Sequence, residues 1–418
     1  MNMKERLYQI GKKAKEASLE LALMEAKEKN KILRAMAKAL LTNKQLILKA
    51  NKADIAHAKR RVKSKAIIDR LSLSESRIRA MSSTMQEVAA LEDHIGRVEE
   101  FVRRPNGLLI GKMRVPIGVI GIIYEARPNV TSDCIALCLK SGNCVILRGG
   151  SESVKSNLAI FNVLKKAAER EGLPEGAINF IDKTDRKVVD ILLRMHEFID
   201  LIIPRGGESL IKEVARKARI PVIKHYKGVC HVYVDEYADL NMAERIVVNA
   251  KVQRPGVCNA IETLLVHKDM AARYLPSVVK KLRQSGVEIR GCAETRKIIR
   301  DARRAKESDW YEEYLDLILA VKVVNSVEDA ISHIRKYGST HSDAIVTENY
   351  EYGMKFIREV DSACVYINSS TRFTDGNQFG KGAEIGISTD KIHARGPMGV
   401  CELTSYKYVI FGNGQIRK

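Results

Sequence analysis

The sequence has no long apolar run. The longest, Val115 to Tyr124, is broken by glycines and falls well short of the roughly 20 residues that span a bilayer, so no transmembrane helix and no membrane partner is expected. The first residues, Met1-Asn2-Met3-Lys4-Glu5-Arg6, open a charged amphipathic helix and lack the hydrophobic core of an export signal. Cysteine is sparse: eight in 418 residues, without paired spacing. Cys134 and Cys138 share a helix face, but no histidine or second cysteine pair accompanies them, so core packing is expected rather than a metal site. This usage favours a reducing cytosol and a cytoplasmic protein. Aromatics make up only 6%, and no helix-turn-helix, finger or RNA-recognition signature is present. The formal net charge of +20 is spread along the chain apart from short patches such as Lys59-Arg60-Arg61. It suits an anionic substrate or a solvated Lys/Arg surface better than nucleic acid. Tandem repeats and low-complexity linkers are missing too. So is the Gly-x-Gly-x-x-Gly fingerprint, because Gly118-Val119-Ile120-Gly121 lies inside a strand-like run.

What is present is a globular α/β pattern, 45% hydrophobic and 29% charged, long enough for two or three domains. Residues 1–100 read as amphipathic helices, with apolar stripes at Leu19, Ala22, Leu23 and Ala26 and at Ile32, Leu33, Met36, Leu40 and Leu41. Residues 101–114 look like a hairpin around Asn106-Gly107. From Val115, strands and helices alternate: strands at 115–124, 144–147, 177–181, 201–203 and 221–224, with Gly-rich turns between them. Beyond residue 258 the alternation restarts, with strands at 263–266, 286–289, 320–324, 344–347 and 363–368. Two doubly wound parallel α/β units are predicted, followed by a strand-like tail at 405–416.

The centre of this layout is Gln253-Arg254-Pro255-Gly256-Val257-Cys258-Asn259-Ala260. A helical segment, Asn241 to Val252, runs into it, and an apolar strand, Ile261 to His267, follows. A cysteine in a Pro/Gly-shaped turn is placed for unpaired backbone N–H groups to face its thiol, as a thiolate nucleophile and an oxyanion hole require. Pro-Gly-x-Cys-Asn resembles the nucleophile loop of the aldehyde dehydrogenase superfamily. The wording through Ala260-Ile261-Glu262-Thr263-Leu264-Leu265-Val266 is similar to its gamma-glutamyl phosphate reductase branch. The resemblance covers nearly the whole chain. It implies a cofactor domain from 1–100 and 115–230, a catalytic domain from 231–400, and a small β oligomerisation lobe from 101–114 and 401–418.

Members of this superfamily hold a nicotinamide cofactor without the usual fingerprint, by the turn after the second strand and by a later helix N-terminus. The matching stretches are Arg148-Gly149-Gly150-Ser151 and Pro204-Arg205-Gly206-Gly207-Glu208-Ser209. Glycines let backbone approach a phosphate, and a helix N-terminus offers N–H groups and partial positive charge; Ser209 is a candidate N-cap. Arg148, with Ser151 and Lys155 one turn on, stands where an acid would grip ribose hydroxyls, which points to NADPH. By the match, Glu313 contacts the nicotinamide ribose.

The loop Tyr124-Glu125-Ala126-Arg127-Pro128-Asn129 follows the first strand. The resemblance implies that it carries an oxyanion-stabilising asparagine. Counting from the strand start selects Arg127, whereas residue type selects Asn129. Asn129 is assigned that role, and Arg127 becomes a candidate for a substrate carboxylate or phosphate. The hydrolytic members' general-base glutamate has no counterpart in Lys224-His225-Tyr226-Lys227-Gly228-Val229-Cys230-His231. An acyl-phosphate reductase must keep water from its thioester, so this absence fits that branch. His225 and His231 are candidate proton carriers. Ser370 and Arg372 are candidates for the substrate's amino and α-carboxylate ends. The implied reaction is NADPH-dependent reduction of L-glutamyl 5-phosphate through a Cys258 thioester, in proline biosynthesis. A separate glutamate kinase in transient contact would supply the substrate, and the enzyme would be at least a homodimer. The rivals are a CoA-dependent acylating aldehyde dehydrogenase and a non-catalytic basic nucleic-acid-binding protein.

Overall fold

The N-terminal helices follow local capping rules. In the computed structural model, which describes residues 2–61 and 65–417, the chain starts with α1 (Met3–Leu21), α2 (Ala26–Thr42), α3 (Lys44–Arg61), α4 (Lys65–Leu71) and α5 (Glu75–Ala90). Asn2 and Glu5 form a reciprocal capping box that starts α1. Leu7, Ala14, Ala17 and Leu21 form its buried face. The predicted stripe at Leu19, Ala22, Leu23 and Ala26 is not a helix face. The break after Leu21 cuts through it, and Leu19 and Leu23 are exposed. In α2 the buried set is Ile32, Leu33, Met36 and Leu40, while Leu41 points outward.

The predicted strand 115–124 proves to be two strands in different sheets. After β1 (Val98–Arg103), β2 (Leu109–Pro116) ends at a proline that has no N–H to donate, and β3 (Val119–Tyr124) begins afresh. Gly118 between them has φ +128°, and a Cβ there would strike the Asp200 carboxylate, so glycine is required. Then come α6 (Asn129–Lys140), β4 (Cys144–Gly149), a 3₁₀ turn at Ser151–Ser153, α7 (Val154–Arg170), β5 (Ile178–Phe180), α8 (Arg186–Leu192), β6 (Leu201–Arg205) and α9 (Glu208–Lys217). The four strands β5-β4-β3-β6 pair in parallel. The expected fifth strand at 221–224 is a single bridge from Val222 to Ile202.

A second run follows: β7 (Cys230–Val234), α10 (Leu240–Val252), β8 (Ile261–His267), α11 (Lys268–Gln284), β9 (Glu288–Gly291), α12 (Ala293–Ile298), β10 (Arg303–Arg304), β11 (Ile318–Val324), α13 (Val327–Tyr337), β12 (Ser342–Val346), α14 (Tyr350–Glu359) and β13 (Cys364–Ile367). It forms a seven-stranded parallel sheet ordered β10-β9-β11-β8-β7-β12-β13. On one face, Val232, Val234, Leu264, Val266 and Val321 pack against Val247, Tyr274 and Leu275. Each such burial contributes about 1.5–3 kcal/mol before chain entropy is counted. The short strands β14 (Ile387–Ser388) and β15 (Gly396–Pro397) pair with each other.

The last strand, β16 (Thr404–Phe411), runs antiparallel along β2, whose other edge holds β1, giving the sheet β1-β2-β16. The chain divides into two compact units, one of residues 1–224, 380–386 and 398–418, the other of 225–379 and 387–397. The division therefore falls ahead of β7 rather than at 230, because β7 pairs with β8 and β12. It also places 380–386 with the first unit. Lys418, the last residue of the expected tail, lies outside the described residues.

Candidate active site

Cys258 lies at the amino end of β8, in the turn that joins it to α10. The ends of this turn are tied by a buried ion pair. Lys251, near the end of α10, donates to the Ile261 carbonyl at 3.0 Å and to Glu262 Oε2 at 2.6 Å. Burial raises the Glu262 carboxyl and lowers the Lys251 ammonium, and each opposes the other's shift. Below the turn lies Gly228. A Cβ there would come within 1.9 Å of the Cys258 carbonyl oxygen, so a side chain at 228 would displace the nucleophile loop. The Gly228 N–H donates to Glu313 Oε1 at 2.8 Å, and the Leu315 N–H donates to Glu262 Oε1. Glu313 is thereby tied to the cysteine turn through backbone.

The segment after β13 is stitched to the same turn. Asn259 donates to the Thr374 carbonyl at 2.8 Å, and the Thr371 hydroxyl donates to the Asn259 carbonyl at 2.7 Å. Arg372 donates to Gln253 Oε1 at 2.9 Å and to Asn259 Oδ1. Burial and the neighbouring Arg254 guanidinium lower its pKa. Ser370 is buried, and its hydroxyl accepts from the Arg372 N–H as the cap of a 3₁₀ turn.

Two imidazoles and a second thiol surround Cys258. One donor atom each from His225, Cys258 and His341 lies within 4.8 Å of the other two. His225 Nδ1 is 2.8 Å from the Ile387 carbonyl oxygen. Cys230, at the start of β7, donates to the Cys258 carbonyl at 3.1 Å, and burial pushes its thiol well above the ordinary value. Cys258 itself is half-buried. His231 is different: fully buried, it pairs with Asp343 at 2.7 Å and meets His333 edge-on, so its place is structural.

In the first unit, chain order reverses between β3 and β6, which makes their carboxyl ends a switch point where α/β sheets bind ligands. Arg148, in β4, is buried. Its Nη2 donates to the Thr184 carbonyl, and its Nε has no hydrogen-bond partner among the described residues. Burial lowers its pKa, opposed by Glu152 and Glu125. Gly207, not Ser209, is the N-cap of α9, and Ser209 sits exposed inside its first turn. Extended dihedrals put Gly207 at the cap, and Glu125 supplies the missing side chain from outside by accepting the Gly207 N–H at 2.9 Å. Among the described residues nothing lies within 4 Å of a Cβ built on Gly207, whereas one on Gly206 would meet the Glu125 carboxylate. Glu152 accepts from the Ala126 N–H and from the Ser151 hydroxyl. An orphaned buried guanidinium nitrogen and an open glycine cap that already holds a carboxylate fit an anionic, phosphate-bearing cofactor.

A family model for the aldehyde dehydrogenase family matches residues 3–312. The chain is 59% identical over 407 residues to the gamma-glutamyl phosphate reductase of Caldanaerobacter subterraneus subsp. tengcongensis, covering 97% of this chain and 98% of that one. It is 55% identical over 418 residues to that of Thermodesulfovibrio yellowstonii, covering 100% of both. The crystal structure of the Thermotoga maritima gamma-glutamyl phosphate reductase superposes with a TM-score of 0.96 at 48% identity, over 99% of this chain and 100% of that one. The chain belongs to the gamma-glutamyl phosphate reductases of the aldehyde dehydrogenase family. It is an oxidoreductase with the two parallel α/β units of that fold, and the family uses a nicotinamide cofactor.

Within this family frame, the second unit gathers Cys258, Ser370, Arg372 and Glu313 around one turn. The first unit gathers Arg148, Ser151, Gly206, Gly207 and Ser209 at the carboxyl ends of its strands. Asn129 is the first residue of α6, and its amide donates to Asp133 at 2.9 Å. Arg127 is half-buried in the loop ahead of it. Sequence reasoning missed His341, Gly228, Lys251 and Glu125. His341 lies far along the chain and comes close only because β12 pairs with β7. The other three are ordinary residues until their partners are placed.

Proposed function

We propose that this chain reduces L-glutamyl 5-phosphate to L-glutamate 5-semialdehyde and phosphate, with NADPH as reductant, in a reducing cytosol. The observation that carries the reading is Cys258, held by a glycine-tight turn beside two imidazoles, in a chain 59% identical to a named reductase. The thiol gives up its proton to the His225 imidazole, whose Nδ1 is committed to the Ile387 carbonyl and whose Nε2 is left as acceptor. The thiolate attacks the acyl carbon; a C–S bond forms, the acyl C–O bond breaks and phosphate leaves. The Cys258 N–H and the Asn129 amide stabilise the oxyanion. NADPH, when bound, supplies the hydride. Arg148 and Ser151 receive its 2′-phosphate, Gly206, Gly207 and Ser209 its diphosphate, and Glu313 its nicotinamide ribose. Arg372, with Ser370 shaping its turn, orients the substrate's α-carboxylate, and Arg127 meets the departing phosphate. The thiohemiacetal oxyanion that remains after reduction reforms the carbonyl, the C–S bond breaks as aldehyde leaves, and the proton held on His225 returns to the Cys258 sulfur.

The same reading makes the β1-β2-β16 sheet a contact with a second copy. Phe101, Tyr406, Tyr408, Ile410 and Phe411 are all exposed on it. The reaction is tested in reverse: NADP⁺ reduction with the semialdehyde should require inorganic phosphate and ignore CoA. Cys258→Ser should lower it by at least about a hundredfold while leaving cofactor affinity intact, because a hydroxyl is a far poorer nucleophile than a thiolate. CoA-dependent turnover would support the acylating dehydrogenase instead.

A further inference from the structure

Cys258 is surrounded by more donors than a thiolate nucleophile needs. Single donor atoms of His225, Cys258 and His341 all lie within 4.8 Å of one another. They come from three places in the chain: the segment ahead of β7, the turn ahead of β8 and the residue ahead of β12. Because β8, β7 and β12 are adjacent parallel strands, their amino ends bring the three together. Two imidazoles and a thiolate are nitrogen and sulfur donors of the kind that hold zinc, and three protein donors leave a fourth position open.

The outer contacts prepare both imidazoles for this. His225 Nδ1 faces the Ile387 carbonyl at 2.8 Å, which fixes the proton on Nδ1 and the lone pair on Nε2. A backbone carbonyl on the far nitrogen is the usual support of a metal-binding histidine. His341 Nδ1 faces the Ser342 hydroxyl at 2.9 Å, and that hydroxyl lies 2.7 Å from the Thr374 hydroxyl. A Ser342 hydroxyl can donate onward to Thr374 and accept from His341, and this arrangement leaves the His341 proton on Nδ1 and the lone pair on Nε2. Cys230 is not a fourth ligand. Its Sγ faces the Cys258 carbonyl oxygen at 3.1 Å and the His341 Nδ1 at 3.6 Å.

We infer that His225, Cys258 and His341 form a site for a soft divalent cation such as Zn²⁺, with water in the fourth position. Bonds of about 2.0–2.3 Å place tetrahedral donors roughly 3.5 Å apart, so the three need to close by about 1 Å. On binding, the Cys258 S–H bond breaks, its proton passes to solvent and an S–Zn bond forms. No electron is transferred. The occupied Cys258 sulfur is unavailable to an acyl phosphate, so the cation and the substrate exclude one another. The cation binds more tightly as pH rises, because it displaces protons.

The test uses the full chain without substrate, and so stands or fails separately from the reductase reading. Zn²⁺ is titrated calorimetrically, and Co²⁺ is added as a spectroscopic probe. One metal per chain is expected, with a near-ultraviolet thiolate-to-Co²⁺ band. Cys258→Ser should abolish the band. His225→Ala should weaken Zn²⁺ by at least about tenfold, since even outer-shell changes cost that much. Circular dichroism and cofactor titration check that both variants are folded. Co²⁺ bound without the thiolate band, or Zn²⁺ affinity unchanged in folded His225→Ala, would overturn the site.

Discussion

At the scale of single residues, Arg148 decides most. A guanidinium is seldom buried without full hydrogen bonding, yet Arg148 Nε has no partner among the described residues, and two carboxylates, Glu125 and Glu152, lie close enough to act on its charge. A 2′-phosphate at this position would complete its hydrogen bonding. Arg148→Glu replaces that partner by one suited to ribose hydroxyls, and should move preference from NADPH toward NADH by about tenfold or more. Fluorescence titration with both cofactors measures this; equal affinities before and after would place the phosphate elsewhere. Ser209 shows how residue type alone misleads: it is a good capping residue, but the fold uses Gly207 as the α9 cap.

At the scale of elements, the Cys258 turn is a connection held at both ends. Lys251 on α10 and Glu262 on β8 are fully buried and bonded to each other. Lys251→Met leaves the Glu262 carboxylate uncompensated, and breaking such a pair costs about 3–5 kcal/mol. Urea unfolding should show that loss, with activity falling before the cooperative transition because the turn loosens first. Equal stability of variant and parent would mean that the pair contributes nothing net. A second element, α13, carries His333 into contact with Trp310 and Tyr337, where burial holds its pKa down at about 2. In the unfolded chain the group titrates near 6.5. The folded state therefore refuses a proton that the unfolded state accepts, and stability present above pH 6.5 is lost as pH falls. The loss approaches about 1.4 kcal/mol per pH unit. His333→Gln should flatten the stability profile between pH 7.5 and 5; an unchanged slope would assign acid sensitivity to other groups.

At the scale of the whole molecule, the tail is the least self-sufficient part. In β16, Tyr406, Tyr408, Ile410 and Phe411 are exposed although the strand is fully paired to β2, and Phe101 meets Phe411 with ring centroids 5.8 Å apart. A sheet with apolar residues exposed and two open edges invites association. Removing residues 406–418 should yield monomers or aggregates with lower thermal stability and reduced activity. An unchanged, active oligomer by sedimentation would exclude this sheet as the contact.

By itself the sequence determined the alternation of strands and helices, because hydrophobic period and Gly-rich turns are local properties. It also determined the position of Cys258, because Pro-Gly-x-Cys-Asn between a helix and a strand is a local pattern. The helix ending at Val252 and the strand starting at Ile261 lie where that pattern places them. Tertiary structure alone decided that 115–124 is divided between two sheets. Pro116 ends the first piece locally, but the Asp200 carboxylate beside Gly118 and the pairing of β2 with β16 place the two pieces in different sheets. It alone put His341 beside Cys258, through strand order, and Glu125 on the α9 N-terminus, through the switch point. Contacts between residues far apart in the chain follow from which strands are neighbours, and that is set by the packing of the whole core, which no local pattern encodes.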